Sequence, residues 1–318
     1  MNSWQITSSK QIRKNDLTDH VEKIDDVKVK ITKCFITSRD ISAFKGDFKV
    51  EYPFIPSNIA VGQVVETFKE SDYLAKGSKV FLSPVFEEGY TKGYLRDFAV
   101  VPQSSLRVLP KTVSENDALF LDHIALALTV IDKLNIDKGE HVAILGVNVL
   151  GNIIAQLIMY YQGVPIVIDN DDENLDRARK TNVYYTVKND KNVEREIIEI
   201  TGGRKCSKII YITGSEINLD VIDKLASPGA SVGVTGIAIT KAKLSANIAF
   251  EKELNLTFIA NGVSNLEAGI NLLAQKAIDL SLFKHTVYKF DYVNKHFENA
   301  LEKLNNGAKS VDFIVDLL

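Results

Sequence analysis

The amino-acid sequence predicts an α/β protein with a β-rich part, a doubly wound parallel sheet and a short α+β tail. Alternating and β-branched runs, separated by glycines and prolines, fill residues 1–121 as strands and turns do. From residue 122 to residue 261, apolar runs of strand length alternate with helix-like runs. This alternation builds a parallel sheet with helices on both faces. Residues 262–318 contain two helix-like segments and a closing strand-like segment.

Length and composition indicate a two-domain globular protein. The chain has 318 residues, enough for two domains of ~150 residues each. Hydrophobic residues make up 45% of the sequence and charged residues 25%, which are ordinary globular values. A net charge of −3 gives no electrostatic attraction to nucleic acid or to an anionic membrane. The expected partner is therefore a small molecule.

The cysteines and the N-terminus predict a cytoplasmic location. Cys34 and Cys206 form neither a disulfide framework nor a CxxC pair, which fits a reducing compartment. Residues 1–16, MNSWQITSSKQIRKND, are polar and lack the apolar core of a signal peptide. The apolar runs are too short and too interrupted to span a bilayer.

The strongest motif is the segment 141–169, HVAILGVNVLGNIIAQLIMYYQGVPIVID. An apolar strand leads into a glycine turn, a long apolar helix follows, and a second strand ends at Asp169. This is the order of a βαβ dinucleotide-binding unit. Asp169 follows Gly151 by 18 residues, close to the ~20 expected for the acid that binds the adenosine ribose. The helix N-terminus would present its N–H groups to a pyrophosphate.

The glycine turn departs from the G-x-G-x-x-G pattern at its middle glycine. Residues 146–151 read GVNVLG, so that Asn148 occupies the position where the backbone approaches the pyrophosphate. Asparagine adds a Cβ and an amide, although it tolerates positive φ better than most residues. The prediction is a bound dinucleotide. The alternative is a degenerate nucleotide fold that has kept its shape and lost its ligand.

The residues after the second strand favour NAD(H) over NADP(H). Asp169 is followed by three more acids in the segment 169–173, DNDDE. This carboxylate cluster would repel a 2′-phosphate and suits a ribose with its 2′-hydroxyl. Arg177, Arg179 and Lys180 are the counter-argument, but they begin two turns into the helix. They are expected to pair at helical spacing with Asp172, Glu173 and Asp176.

A series of short motifs resembles the medium-chain dehydrogenase/reductases, the superfamily of zinc alcohol and polyol dehydrogenases. Residues 34–40, CFITSRD, and 44–48, FKGDF, match the family's CGICGSD and YKGDF. Residues 54–66 match LIPGHEFAGVVVE, and residues 97–102 match the FAEYVVVP stretch. Their order and spacing cover nearly the whole chain. The resemblance implies a GroES-like catalytic domain formed by residues 1–121 and 262–318, with a Rossmann NAD-binding domain, residues 122–261, inserted in it.

The zinc ligands of that family are missing from this sequence. The positions that match its Cys and its His-Glu pair hold Thr37, Asn58 and Ile59. Thr and Asn are poor zinc ligands and Ile is none. Asp122 matches the additional Glu of the polyol enzymes and cannot hold zinc alone, and residues 86–96 lack the cysteines of a structural zinc lobe. We therefore expect a zinc-free protein.

Other side chains must then polarise a carbonyl or carry a proton. Arg39, at the family's proton-relay position, could hold an oxyanion or an anionic group, or it could pair with Asp40. Asp122 could be a base or a hydroxyl acceptor, or it could simply favour the helix N-terminus. Tyr90 and Tyr94 could supply a phenol or be surface residues. The candidate catalytic residues are Thr37, Arg39, Asn58 and Asp122. The expected cofactor contacts are Ser38, Gly146, Asn148, Val149, Leu150, Gly151, Asp169 and Gly236.

Two functions follow from these motifs. The first is a zinc-independent, NAD(H)-dependent oxidoreductase for a small polar alcohol or carbonyl, such as a sugar-like one, or for an activated double bond. The second is a catalytically inactive relative that binds a nucleotide or serves as an assembly subunit. Residues 256–260, LTFIA, resemble the family's subunit-edge strand. An open apolar edge invites aggregation, so we expect a homodimer or a homotetramer.

Overall fold

A computed structural model describes residues 1–17, 21, 23–47, 49–68, 73–85, 93–214, 217–236, 243–306, 308 and 311–318. The chain forms two compact units. The first, unit 1, contains Met1–Phe120 and Lys284–Leu318, and the second, unit 2, contains Leu121–Phe283. Among the described residues, no helix is long and apolar enough to cross a membrane.

Unit 1 is mostly β-structure. With elements numbered in chain order, its strands are β1 (Asn2–Ser8), β2 (Gln11–Asp16), β3 (Asp26–Ile36), β4 (Ile59–Thr67), β5 (Lys79–Leu82), β6 (Phe98–Pro102), β7 (Leu106–Val108), β14 (Thr286–Lys289) and β15 (Phe313–Asp316). Its helices are α1 (Ser38–Lys45), α2 (Glu115–Ala118) and α10 (Val293–Asn305). The main sheet has the order β14-β15-β3-β4-β5-β7, with β6 also paired to β3, and β1 pairs with β2.

The long strand β3 organises this sheet. Its apolar residues are almost all buried, and it pairs with β4, β6 and β15. The pairing with β15 is antiparallel and sets Phe313 opposite Ile36. This register brings the residue before β15, Asp312, to the end of β3 where α1 begins.

Unit 2 is a parallel sheet with helices. Its strands are β8 (His141–Leu145), β9 (Val164–Asp169), β10 (Tyr185–Lys188), β11 (Cys206–Ile212), β12 (Ala226–Thr235) and β13 (Asn255–Ile259). Its helices are α3 (Leu121–Leu134), α4 (Val149–Tyr160), α5 (Asp172–Lys180), α6 (Val193–Thr201), α7 (Ile222–Leu225), α8 (Ala246–Glu251) and α9 (Leu266–Ala274). The strand order is β10-β9-β8-β11-β12-β13, and every pairing is parallel.

The strand order of unit 2 reverses between β8 and β11. In open α/β sheets, ligands bind beyond the carboxyl ends of the strands at such a reversal. The helix that follows β8, α4, is largely apolar, and its residues 150–158, including the polar Asn152 and Gln156, are buried. It packs against α3 and β9, so only its N-terminal end is left for a ligand.

The segment 262–283 belongs to unit 2, whereas the motif resemblance assigned it to the catalytic domain. An added Cβ on Gly262 would lie 2.2 Å from the backbone of Ala125 and Leu126 on α3. An added Cβ on Gly269 of α9 would lie 2.7 Å from the Leu121 side chain. These two glycines allow the segment to pack closely against α3. The chain therefore returns from unit 2 to unit 1 after Phe283, and not before residue 262.

Candidate functional site

The two outer glycines of the turn, Gly146 and Gly151, are required for different structural reasons. Gly146 has φ +96°, a left-handed conformation that favours glycine. Gly151 lies so close to the turn that an added Cβ would be 2.1 Å from the Gly146 carbonyl oxygen. The turn therefore needs glycine at both positions, as the predicted dinucleotide-binding pattern requires.

Asn148 is the N-cap of α4. Its Oδ1 atom accepts a hydrogen bond of 3.1 Å from the N–H of Gly151. Its φ is −65°, so the tolerance of asparagine for positive φ, expected from the sequence, is not used here. The N–H groups of Val149 and Leu150, in the first turn of the helix, have no acceptor within it. They can therefore donate to a phosphate.

Asp169 lies at the carboxyl end of β9 and is only 4% exposed. Its carboxylate accepts hydrogen bonds from the N–H groups of Val147 at 2.7 Å and Asp171 at 2.8 Å, and from Asn174 Nδ2 at 3.1 Å. A carboxylate has about four acceptor sites, so these three donors leave room for about one more. Asp169 thus fixes the glycine turn and retains limited capacity for a ribose hydroxyl.

The basic residues of α5 make the local contacts that helical spacing allows. Arg179 forms an ion pair with Asp176, as expected. Arg177 donates instead to the amide oxygen of Asn174, and Asp172 pairs with Lys188 at 2.8 Å. Arg177, Arg179 and Lys180 were the argument for NADP(H). The ion pair with Asp176 weakens that argument most clearly for Arg179.

Thr213 is a residue that sequence reasoning missed. It follows β11 at the reversal of strand order, and its Oγ1 atom is buried without a hydrogen-bond partner in the described structure. Gly236 has φ +138°, and an added Cβ there would lie 2.2 Å from Thr213 Oγ1. The predicted contact Gly236 therefore makes room for this hydroxyl. Together with the glycine turn and Asp169, the unsatisfied hydroxyl fits a nicotinamide dinucleotide.

The start of α1 is held by Asp40. The N–H and the hydroxyl of Thr37 each donate to Asp40 Oδ2 at 2.9 Å, and the N–H of Ser57 donates to Asp40 Oδ1 at 2.9 Å. Burial raises the pKa of Asp40, the bonds from Thr37 and Ser57 oppose that change, and the charge of Asp312 adds to it. The Thr37 hydroxyl is thus already committed as a donor.

Ser38 is bound by a second carboxylate. Its N–H and its hydroxyl donate to Asp312 Oδ1 at 2.6 and 2.8 Å. Asp312 comes from the loop before β15, which pairs with β3. The resemblance assigned Ser38 to cofactor binding. Its N–H and its hydroxyl, however, both donate to Asp312 within unit 1.

The positions that match the family's zinc ligands do not suit zinc. Thr37 donates to Asp40, and Asn58 is exposed, whereas Ile59 is buried at the start of β4. In the described ranges, no group of three or more His, Cys, Asp or Glu side chains could hold a metal ion. Arg39, beside Thr37, is exposed. The donor set offers hydrogen bonds and charge in place of metal ligands.

Asp122 is the second residue of α3 in unit 2. Burial raises its pKa, and burial is the one cause of that change. The adjacent His123 is buried, as a packed histidine is. A carboxyl group with a raised pKa is a candidate acid or base. Thr37, Ser38 and Arg39 are brought together at the start of α1, and Asn58 follows Ser57 of the same network.

Tyr94 is neither a surface residue nor an available phenol. Its side chain is 1% exposed, and its hydroxyl donates to the backbone carbonyl of Ser83. Burial raises its pKa. The expectation for Tyr94 was wrong because it treated the surrounding segment as a solvent-exposed loop. Phe48 of the FKGDF motif and Tyr90, the other candidate phenol, lie outside the described residues.

His285 was not singled out from the sequence. It begins the returning part of unit 1, and its ring lies against the rings of Phe35, at 4.8 Å between centroids, and Phe120, at 5.4 Å. Its Nε2 atom is buried and has no hydrogen-bond partner in the described part of the chain. A lone histidine without a nearby motif gives no sequence signal, so its surroundings could be recognised only in the folded unit.

Comparison with known proteins supports a family assignment. Residues 23–111 match the alcohol dehydrogenase GroES-like domain. An uncharacterised zinc-type alcohol dehydrogenase-like protein of Haemophilus influenzae is 24% identical over 313 residues, which cover 91% of this chain and 92% of that protein. The D-xylulose reductase of Morganella morganii is 22% identical over 306 residues, 87% and 90% of the two chains. These matches support the medium-chain dehydrogenase/reductase superfamily as the family of this chain.

Solved structures agree with this assignment at the level of the fold. A short chain alcohol dehydrogenase of E. coli CFT073, complexed with NADH, superposes with a TM-score of 0.83 at 18% identity. The match covers 100% of this chain and 99% of that one. The predicted fold class, a GroES-like domain with a parallel-sheet Rossmann domain, is confirmed. The relatives with names of dehydrogenases and reductases support the same broad class of enzyme for this chain.

Proposed function

We propose that this medium-chain dehydrogenase/reductase is a zinc-independent, NAD(H)-dependent enzyme. Its substrate would be a small polar alcohol or carbonyl, sugar-like in its hydroxyl groups, or an activated double bond. The observation that carries the proposal is the glycine turn joined to Asp169 at the strand reversal of unit 2. It stands in a chain whose matching zinc positions are Thr37, Asn58 and Ile59.

The cofactor would be held by unit 2. The N–H groups of Val149 and Leu150, at the start of α4, would donate to the pyrophosphate, where the helix dipole favours negative charge. Asp169 would use its remaining acceptor site for a ribose hydroxyl, and its charge opposes a 2′-phosphate. The hydroxyl of Thr213 would gain a partner. Bound there, the nicotinamide ring supplies or accepts a hydride.

The residues of this chain would manage the proton and the substrate oxygen. A raised pKa lets Asp122 keep its proton closer to neutral pH and donate a hydrogen bond, as a buried acid can do for a carbonyl oxygen. Arg39 would attract a polar or anionic part of the substrate. Asn58 is exposed and offers an amide, and Thr37 offers its hydroxyl oxygen as an acceptor.

One observation favours a second function: the hydrogen-bond donors at the start of α1 are already bound to carboxylates of the chain itself. The N–H and hydroxyl groups of Thr37 and Ser38 all bind Asp40 or Asp312. A site whose donors are satisfied internally suits a catalytically inactive nucleotide-binding or assembly subunit. Turnover of NADH or NAD⁺ with a panel of carbonyls, alcohols and enones separates the two functions. No turnover, together with tight NADH binding, would favour the inactive subunit.

Zinc independence has its own test. We expect less than stoichiometric zinc after dialysis and unchanged turnover after treatment with a chelator. One tightly held zinc per chain, or loss of turnover that zinc restores, would contradict the proposal.

A homodimer, or a homotetramer that contains such dimers, is supported by the edge of the parallel sheet. The edge strand β13 exposes 42% of Leu256 and 72% of Phe258, and Phe250 on α8 is 84% exposed. An open apolar edge of this kind invites pairing with another strand, and a two-fold axis would cover it with its own copy. Light scattering should give a dimer or larger at micromolar concentration, and Phe258→Asp should give a monomer. A wild-type monomer would reject this.

A further inference from the structure

The two carboxylate oxygens of Asp169 are used unequally. Oδ2 accepts a hydrogen bond of 2.7 Å from the N–H of Val147 and one of 3.1 Å from Asn174 Nδ2. Among the residues that the structure describes, Oδ1 accepts a single one, of 2.8 Å from the N–H of Asp171. A carboxylate has about two acceptor positions on each oxygen. Oδ2 is therefore filled, and the open position lies on Oδ1.

The amide of Asn174 is oriented by a second side chain of α5. Asn174 is the third residue of that helix, and Arg177 lies about one turn further along it. The guanidinium of Arg177 donates from Nη2 to Asn174 Oδ1. Because a guanidinium has no acceptor, the amide turns its oxygen towards Arg177 and its nitrogen towards Asp169. Asn174 is therefore held as a donor to Oδ2.

The main chain fixes the carboxylate of Asp169 in this arrangement. One of its N–H donors, Val147, belongs to the glycine turn, and the other, Asp171, is the N-cap residue of α5. Asp169 is buried, so a carboxylate that turned away would leave backbone N–H groups without an acceptor, which is unfavourable. The filled Oδ2 and the open position on Oδ1 are thus built into unit 2.

A carboxylate with one open position can accept from one hydroxyl only. The adenosine ribose of a dinucleotide carries two neighbouring hydroxyl groups, at its 2′ and 3′ carbons. A carboxylate with an open position on each oxygen could accept a hydrogen bond from both of them. In this chain the side chain of Asn174 occupies the position on Oδ2, so the second ribose hydroxyl finds no acceptor on Asp169.

We propose that Asn174, oriented by Arg177, limits Asp169 to one ribose hydroxyl, which is accepted at Oδ1. The ligands of the site therefore include nicotinamide dinucleotides whose adenosine ribose lacks the other hydroxyl. The inference rests on the proposed function, in which unit 2 holds NAD(H), and it adds the residue that sets ribose specificity. Asn174 is a positioning residue in this account, because it acts through the carboxylate of Asp169.

Wild-type protein tests the proposal first, through the binding of three cofactors. These are NADH and its two analogues in which the adenosine ribose lacks either the 2′- or the 3′-hydroxyl, each titrated by calorimetry. We expect one analogue to bind roughly tenfold or more weakly than NADH, because Oδ1 loses its partner, and the other to bind within about twofold of NADH. No turnover is needed for this measurement.

Asn174→Ala then opens the position on Oδ2, and alanine keeps the helix because it is the strongest helix former. In this variant both analogues should bind roughly tenfold or more weakly than NADH, since both hydroxyls now have an acceptor. Asp176→Ala is the matched control on the same helix. The Asp176 side chain is 61% exposed and pairs with Arg179, so its loss should leave the wild-type order of the three affinities.

The outcomes separate this inference from the proposed function. If wild-type protein binds NADH but loses affinity equally for both analogues, or for neither, Asp169 is not limited to one hydroxyl and the inference is wrong. An unchanged order of affinities in Asn174→Ala would likewise remove Asn174 from this role. In each of these cases NADH binding, and with it the proposed function, still stands. Absence of NADH binding by the wild-type protein would reject the proposed function and this inference together.

Discussion

Two helix starts in this chain use acidic residues in opposite ways. At the start of α1, the N–H and hydroxyl groups of Thr37 and Ser38 donate to Asp40 and Asp312. At the start of α4, one carboxylate, Asp169, takes the N–H before the helix, from Val147. The N-cap side chain takes one more N–H within the first turn.

The difference shows how a protein can close or keep open an anion-binding helix end. Helix N-termini attract negative charge through their dipole and their unpaired N–H groups. In α1 that demand is met by two carboxylates of the chain itself, which leaves little for an added anion. In α4 the N–H groups of Val149 and Leu150 are left for a ligand. The motif resemblance puts functional residues at both starts, but the geometry favours ligand phosphate only at α4.

The largest effect should come from Gly151→Ala at the α4 start. The added Cβ would meet the Gly146 carbonyl oxygen at 2.1 Å, and the helix would have to move away from the turn. We expect a loss of about 3 kcal/mol in unfolding free energy and loss of measurable NADH binding. Chemical denaturation and thermal shift with NADH measure the two. Gly139→Ala, which meets no atom within 4 Å but has φ +74°, should lose stability alone.

Asp312→Ala should open the α1 start. Removal of the carboxylate leaves the N–H and hydroxyl of Ser38 without their acceptor, which costs about 2–3 kcal/mol in unfolding free energy. Urea denaturation at pH 7 measures it. Asp316→Ala on β15, the strand that follows Asp312, is the control, since its partner Lys289 is 66% exposed and such surface pairs contribute about 0–1 kcal/mol. Equal losses in both variants would show that the α1 start does not depend on Asp312.

Asp169→Ala should weaken NADH binding by roughly 1–3 kcal/mol, because buried donors of the turn lose their acceptor. The same variant tests cofactor choice. Wild-type protein should be stabilised more by NADH than by NADPH, and the difference should shrink in the variant. If wild-type protein is stabilised equally or better by NADPH, the assignment of Asp169 as the residue that opposes a 2′-phosphate is wrong.

The smallest effect is the pH dependence of Asp40→Asn. Asp40 has a raised pKa in the folded chain, so the folded state binds its proton more tightly than the unfolded state. As the pH rises above about 4, the unfolded chain loses this proton first, and wild-type stability falls until the folded pKa is passed. The variant lacks this term. Its stability relative to wild type should therefore rise with pH and then level off, and a constant difference would contradict the assignment.

The contrast between the two helix starts also separates what the sequence could predict from what it could not. The α4 start was predictable because its parts, Gly146, Gly151 and Asp169, lie within one βαβ unit with known spacing. The start of α1 was matched to a family motif, but its chemistry depends on Asp312, 274 residues away from Ser38. No local sequence pattern predicts the contact between Ser38 and Asp312.

The burial of individual side chains was the second feature that could not be predicted from the sequence. Tyr94 follows a glycine in a segment that looks like a loop, yet its hydroxyl is inside the core of unit 1. His285 is one residue in a polar stretch until Phe35 and Phe120 enclose it. Spacing predicts which residues share an element, whereas these two environments are produced by strands and loops that meet only in the folded unit.

The insertion of unit 2 into unit 1 has a consequence for the order of folding. During synthesis, β3 and the start of α1 leave the ribosome before unit 2, and their partners β15 and Asp312 are made only after it. The complete unit 2 is synthesised in the interval and can fold as a domain. Residues 33–36 of β3 must meanwhile wait without their partner strand β15, and such sequence-distant pairing is slow. Truncation of only the last few residues would thus remove a strand from the first domain to be made.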